Sequence, residues 1–348
     1  MVTQLVAGRV YEYSRSVGRG GAGLGFSLAV ASAIGQGDRV YVLSRGSESV
    51  TNVPWNRTGR GSRVGILTIG PEPDDEEFVS EFGKYGDAEG EFIWPAGLAL
   101  DSHENIYVTD EWLNRVSIFD KEGNTLAVWG SGGEGDGELQ GPSGIAIDPQ
   151  DNVYIVDSRN HRVQKFSSDG VFLSKWGSFG SDDGYFDSPW GITIDNAGYI
   201  YVADHKNHRV EKFTAEGDFV SQFGSFGTGR GQLKFPADVA VDSDGEVYVC
   251  DWANNRVQLY DANGKFITSF IGDAQQLTKW SKMIVDASPE TLKRRREVRS
   301  MEPEWRFAMP RGVTFDPEKG RLLVSDTHRN RLQIYNKLKD YQEPQRNL

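Results

Sequence analysis

The chain has 348 residues, with 38 Lys and Arg against 50 Asp and Glu, a formal net charge of −12. That balance argues against a broad nucleic-acid face, because phosphate binding needs a basic footprint. One cysteine, Cys250, excludes an intramolecular disulfide and any cysteine-based zinc cluster.

In chain order, RVYEYSRSVG (Arg9 to Gly18) alternates like a strand but stands before the first recognisable repeat. The start of the chain has no apolar run of signal-peptide length, and no stretch of 18 apolar residues follows, so the expected location is the cytoplasm. The first repeat opens at FSLAVAS (from Phe26), is interrupted by SESVTNVPWNRTGRGS (47–62) and resumes at RVGILTIG (from Arg63). Four copies then read NRVSIFDKEG, HRVQKFSSDG, HRVEKFTAEG and NRVQLYDANG. Their arginines, Arg115, Arg162, Arg209 and Arg256, are spaced by 47 residues, and a fixed period of this size signals a repeat architecture. A last copy, NRLQIYN around Arg331, comes after a long insertion at 273–305.

Each period resolves into four short alternating strands. In the third repeat these are GIAID (from Gly144), NVYIVD (from Asn152), RVQKF (from Arg162) and VFLSKWG (from Val171). Asp, Asn, Gly and Pro separate them, as chain reversals require. Four antiparallel strands per period predict an all-β propeller blade. The last copy lacks a fourth strand, and residues 9–18 supply one, which closes the ring and removes its exposed edges. The expected fold is one six-bladed β-propeller domain, with blades near 26–70, 95–130, 142–177, 189–224, 236–271 and 310–336 plus 9–18.

Within the 273–305 insertion, Ser288-Pro289-Glu290 reads as a helix start, with serine as cap and proline in the first turn. A helical turn or two is also expected in AQQLTKWSKMIV. Both insertions, 47–62 and 273–305, fall in loops that open on one face, the mouth of the central channel. Long loops on one face of a repeat protein mark a binding face. The expectation is a lid over the mouth, with Trp280, Met283 and Trp305 facing inward. The same insertion could instead serve as a homo-oligomer contact.

Two rings of positions vary between blades. The start of the innermost strand carries Phe26, Ala96, Ser143, Trp190, Ala237 and Arg311. The position after the second strand carries Arg45, Glu111, Ser158, His205, Trp252 and Thr327. Such divergence fits a shared pocket whose walls each contribute one group. Arg45 and Arg311 suit a carboxylate or phosphate, which a guanidinium binds through two parallel bonds. Glu111, His205 and Asp238 are candidates for proton transfer. Trp190, Trp252, Trp280 and Trp305, with Ser143 and Ser158, are expected to bind substrate. The recurring Asp110, Asp157, Asp204, Asp251 and Asp326 read instead as a repeated turn-fixing device. So do the repeat arginines and His161, His208 and His328. Cys250 is expected to be a small core residue.

The pattern of a glycine-rich connector, Pro-x-Gly, a Tyr-Val-x-Asp strand end and Asn-His/Asn-Arg-Val resembles the NHL repeat family. The first blade, VYVLSRGSESVTNVPW, also resembles its counterpart in the peptidyl-hydroxyglycine lyases. That resemblance implies a catalytic arginine at Arg45. It also implies a zinc held by three histidines, at places where this chain has Ala96, Trp190 and Arg311. A tyrosine and a second arginine of that family fall near Arg159 and His205. No histidine-ligated zinc is therefore expected, whereas a Ca²⁺ or Mg²⁺ in the channel, held by carbonyls and Asp238, is compatible with oxygen-only ligation. The favoured reading is a lyase or hydrolase acting on a small anionic substrate at the mouth. The alternatives are an interaction scaffold and, disfavoured by the acidic balance, an RNA-binding propeller resting on the KRRREVR run.

Overall fold

In the computed structural model, residues 3–18, 26–46 and 61–339 are described. They form six antiparallel sheets in a ring, one per repeat. In blade three the strands are Pro142–Ile147, Val153–Asp157, Arg162–Phe166 and Phe172–Trp176, from the channel outward. Each blade is apolar on both faces and packs against its neighbours, so the core is not one body but six inter-blade seams. Cys250 is fully buried in one of them.

The ring closes as the sequence predicts. Arg9–Gly18 pairs antiparallel with Arg331–Leu338 as the fourth strand of blade six. A further strand, Thr3–Val6, adds to its outer side, so this blade has five strands. At the seam with blade five, Tyr11 donates to Glu246 at 2.9 Å, and Lys337 lies 2.6 Å from both Asp242 and Asp244.

The repeated polar residues form one hydrogen-bonding device in each of blades three to six. Asp157 accepts from Gln140 N, Asn160, Arg162 and Gln164. Arg162 also donates to the carbonyls of Glu134, Gly135 and Glu138 in the connector entering its blade. Arg209 and Arg256 repeat this clamp. His161 and His208 sit in left-handed conformation (φ 53° and 60°), and each Nδ1 accepts a connector N–H of the following blade, Ser188 and Phe235. Asn114, Asn255 and Asn330 do the same with Oδ1. Asn tolerates that backbone region and offers the same acceptor. His328 is not part of this series: it stands two residues before Asn330, inside the 3-10 turn Thr327–Arg329.

The 273–305 insertion departs from expectation. Its ends are tied by Phe307 N to Ile271 O (3.0 Å) and Ala274 N to Trp305 O (3.2 Å). The excursion between carries helix α1 (Lys279–Asp286), capped by Thr278, and helix α2 (Pro289–Glu297), capped by Ser288 with Pro289 in its first turn. Trp280 is buried in the seam between blades six and one, in a cluster with Val17, Phe26, Leu67 and Leu332, and meets Phe78 edge-to-face at 6.5 Å. Lys279 donates to the Asp74 and Glu76 carbonyls of blade one, and Thr278 to that of Gly18 in blade six. The helices therefore dock at a blade seam. Met283, expected to face inward, is 66% exposed. Of the other insertion, 47–60 lie outside the described residues.

Candidate functional site

Six inner strands surround a channel of about 440 Å³, running from Ser143, Trp190 and Arg311 at the mouth to Asn196, Ser243 and Pro317 at the far end. The inner strands of neighbouring blades can approach closely near the mouth because glycine stands two residues after the strand-start proline. A Cβ at Gly144 would strike the Trp190 carbonyl of the next blade, and one at Gly97 the Ser143 carbonyl. Blade one has no proline at the strand start, and its register places Ala29 opposite Ser44 just as Pro142 lies opposite Asp157. The mouth-ring residue of blade one is thus Val30, and Phe26, proposed for that place from sequence, is a core residue 1% exposed.

At the mouth, Arg45 and Arg311 converge on Glu111. Arg45 Nη2 is 2.8 Å from Glu111 Oε2, and Arg311 Nη2 is 2.9 Å from Oε1. Burial opposes ionisation of Glu111, but the charges of Arg311 and Arg45 outweigh it and hold the carboxyl below its usual range. Glu111 is therefore a fixed carboxylate, not the proton-transfer group proposed from sequence. Each guanidinium also lies over an indole, Arg45 over Trp94 at 4.6 Å and Arg311 over Trp190 at 4.9 Å. Such stacking favours a planar cation over an aromatic face. Sequence reading missed Trp94 and its neighbour Trp112, 6.1 Å away. The signal was a tryptophan in the connector slot that Gly141 and Ser188 fill in the next two blades.

His205 stacks on Trp190 at 3.6 Å with an interplanar angle of 15°, and Trp252 closes the aromatic group at 6.0 Å from Trp190. The His205 Nδ1 lies 3.1 Å from the Pro236 carbonyl. A carbonyl only accepts, so Nδ1 carries the hydrogen and Nε2 the lone pair. Burial drives the His205 pKa down to about 4; the Pro236 bond opposes this and the Arg311 charge adds to it. The imidazole is neutral near pH 7, as a general base must be.

Asp238 lines the channel beyond Arg311, and burial pushes its carboxyl up to about 7. Ser143 is committed to structure, its Oγ donating to the Trp190 carbonyl at 2.8 Å. Ser158 is buried in the turn Ser158–Asn160, where its carbonyl accepts from His161 N. Trp280 lies in the outer seam, and the Trp305 carbonyl serves as an acceptor for Ala274 N and Gln333. Neither tryptophan lines the channel. The substrate-binding role proposed for them assumed a lid that the helices do not form. Ala96, Trp190 and Arg311 all line the channel. Among the described residues, no three His, Cys, Asp or Glu side chains are gathered where they could hold a metal ion.

Comparison with known proteins gives the following likenesses. The NHL repeat is matched at residues 139–166, 186–213, 233–260 and 307–335. Protein lin-41 of Caenorhabditis elegans is 41% identical over 49 residues, which is 14% of this chain and 4% of that protein. Among solved structures, a streptogramin B lyase is similar with TM-score 0.54 and 13% identity, covering 90% of this chain and 94% of that one. A virginiamycin B lyase from Staphylococcus aureus gives 0.53, 11%, 89% and 95%. A structural genomics protein of unknown function from Bacteroides thetaiotaomicron gives 0.59, 17%, 94% and 76%. At these identities the structural likeness is one of fold.

Proposed function

We propose that this chain, whose NHL repeats build a six-bladed propeller, is an enzyme of lyase or hydrolase type that binds a small anionic substrate at the channel mouth. The observation carrying this is the convergence of Arg45 and Arg311 on one carboxylate at the open end of the channel, beside an aromatic platform. A substrate carboxylate or phosphate would compete with Glu111 for this fork, whose geometry suits either group. His205, neutral and with Nε2 unprotonated, is the group suited to take a proton, and Trp190 and Trp252 offer faces for an apolar part of the substrate. The lyase-type likenesses support the scaffold's fitness for such chemistry.

The test is a thermal-shift screen of small carboxylates and phosphate esters on wild type and Arg311→Lys. Lysine keeps the charge and loses the fork. Binding is expected to weaken about tenfold or more, as loss of a charge-assisted bond of about 1.5–3 kcal/mol requires. Unchanged affinity in a folded Arg311→Lys protein would remove the anion site from the mouth.

One observation favours a second reading, an interaction scaffold. On the same face, Phe179, Phe226 and Trp112 are 68%, 63% and 58% exposed, and exposed apolar groups of this size mark protein contacts. Replacing Phe179 and Phe226 by serine is expected to leave self-association in analytical ultracentrifugation unchanged, and its loss in that variant would favour the scaffold.

A further inference from the structure

At the third residue of the Pro-x-Gly strand start, four blades carry Gly97, Gly144, Gly191 and Gly312, and blade five carries Asp238. The glycines are required by close approach of the next blade, whose backbone a Cβ would strike at Gly97 and Gly144. A charged side chain is costly in this slot, and the fold accommodates it on both sides. Gly191 of blade four leaves the space that Asp238 fills, since a Cβ there would strike its carboxylate. On the other side Val313 N of blade six donates to Oδ2 at 2.9 Å. The side chain is partly open to the channel, and among the described residues no cationic group forms an ion pair with it. A desolvated carboxylate without a direct ion-pair partner is unfavourable, which is why such groups are ordinarily paired.

Arg311 stands one strand start away in blade six, lines the same channel and acts on Asp238 only through its field. The mouth and the channel wall thus present a cationic fork and, deeper, a lone carboxylate, with the Trp190 face between blades three and five. From this arrangement we infer that the ligand of the channel is a small zwitterion, its carboxylate received at Arg45 and Arg311 and its ammonium group at Asp238. This rests on the anion-binding reading of the mouth and adds the second pole. The raised carboxyl of Asp238 fits a group awaiting a cation, because an ammonium brought beside it favours the charged form.

The experiment is isothermal titration of wild type with glycine, L-leucine and L-phenylalanine. Each is paired with its deaminated counterpart: acetate, 4-methylpentanoate and 3-phenylpropionate. The titrations are repeated on Asp238→Asn, which can still accept from Val313 N and so keeps the inter-blade bond. Wild type is expected to bind at least one amino acid about tenfold more tightly than its partner acid, the effect of one buried charge-assisted bond. In Asp238→Asn that preference disappears while affinity for the plain acid is retained. If the acids bind and depend on Arg311 but the ammonium adds nothing, or if the preference survives in Asp238→Asn, the zwitterion inference falls and the anion site stands. If no acid or amino acid binds and the carboxylate and phosphate-ester screen is also blank, both fall together.

Discussion

Trp280→Ala is expected to lower the stability of the propeller by about 3–5 kcal/mol, the cost of deleting a large buried aromatic side chain. The indole is 7% exposed and lies in the cluster that joins blade six to blade one. This is the seam where the ring is closed by a strand from the far end of the chain. The seam is therefore the place where loss of packing most directly threatens the closed ring. The expected readouts are a lower midpoint in urea and new proteolytic cleavage between 274 and 301, with ligand binding at the mouth unchanged in the folded protein. A midpoint equal to wild type with the same new cleavage would make the helices an appendage that undocks alone. Loss of binding with no loss of stability would restore the lid, which the positions of α1 and α2 contradict.

Blade architecture was legible because it is written many times over. Strand alternation, turn residues and the 47-residue spacing agree in every central repeat, and such agreement across levels specifies a fold. Ring closure was legible from a missing fourth strand at one end and a surplus strand at the other. The misplacements have local causes. Phe26 was assigned to the mouth because blade one has no proline to mark its strand start, which moved the count by four residues from Val30. Helices α1 and α2 were visible from their caps, but a cap says where a helix starts and nothing of what its apolar face meets. Trp280 was the clue, since an isolated tryptophan among polar residues needs a surface to bury it.

The site was half legible for a similar reason. Repeat alignment brought Arg45, Glu111, His205, Trp190 and Arg311 to one end of the channel, where they are found. What it did not give was their mutual engagement. Arg45 and Glu111 occupy the same repeat position in adjacent blades, so their opposite charges should have suggested a pair rather than two independent roles. Once paired, Glu111 cannot act as a base without first leaving two guanidiniums, which leaves His205 and Asp238 of the three groups proposed for proton transfer.

Glu211→Gln is expected to stabilise the protein above neutral pH, by about 1–3 kcal/mol, the cost of a buried group left without its hydrogen bond. Three blades carry glutamine at this third-strand position. Gln164 accepts from Gly137 N and donates to the Glu138 carbonyl and Asp157, and Gln258 and Gln333 make the same set of bonds. Blade four has Glu211, whose Oε1 accepts from Gly184 N at 3.0 Å while the buried Oε2 has no hydrogen-bond partner among the described residues. Oε2 stands where a glutamine would donate, near Asp204, so an ionised Glu211 adds a second carboxylate to a dry site. Burial pushes its carboxyl up to about 7; the Gly184 bond and Arg209 oppose this, and Asp204 and Asp183 reinforce it. An unfolded glutamate titrates near about 4.3, so the folded state holds the proton more tightly. Stability from this group is then complete below about pH 4.3 and is lost as pH climbs through about 7. Glutamine carries its donors at every pH. Urea midpoints of the two proteins should therefore nearly coincide at pH 5 and separate by pH 8, with the variant higher. Equal midpoints at pH 8 would mean that Oε2 already finds a donor in solution, and that the single departure from glutamine among these four blades costs nothing.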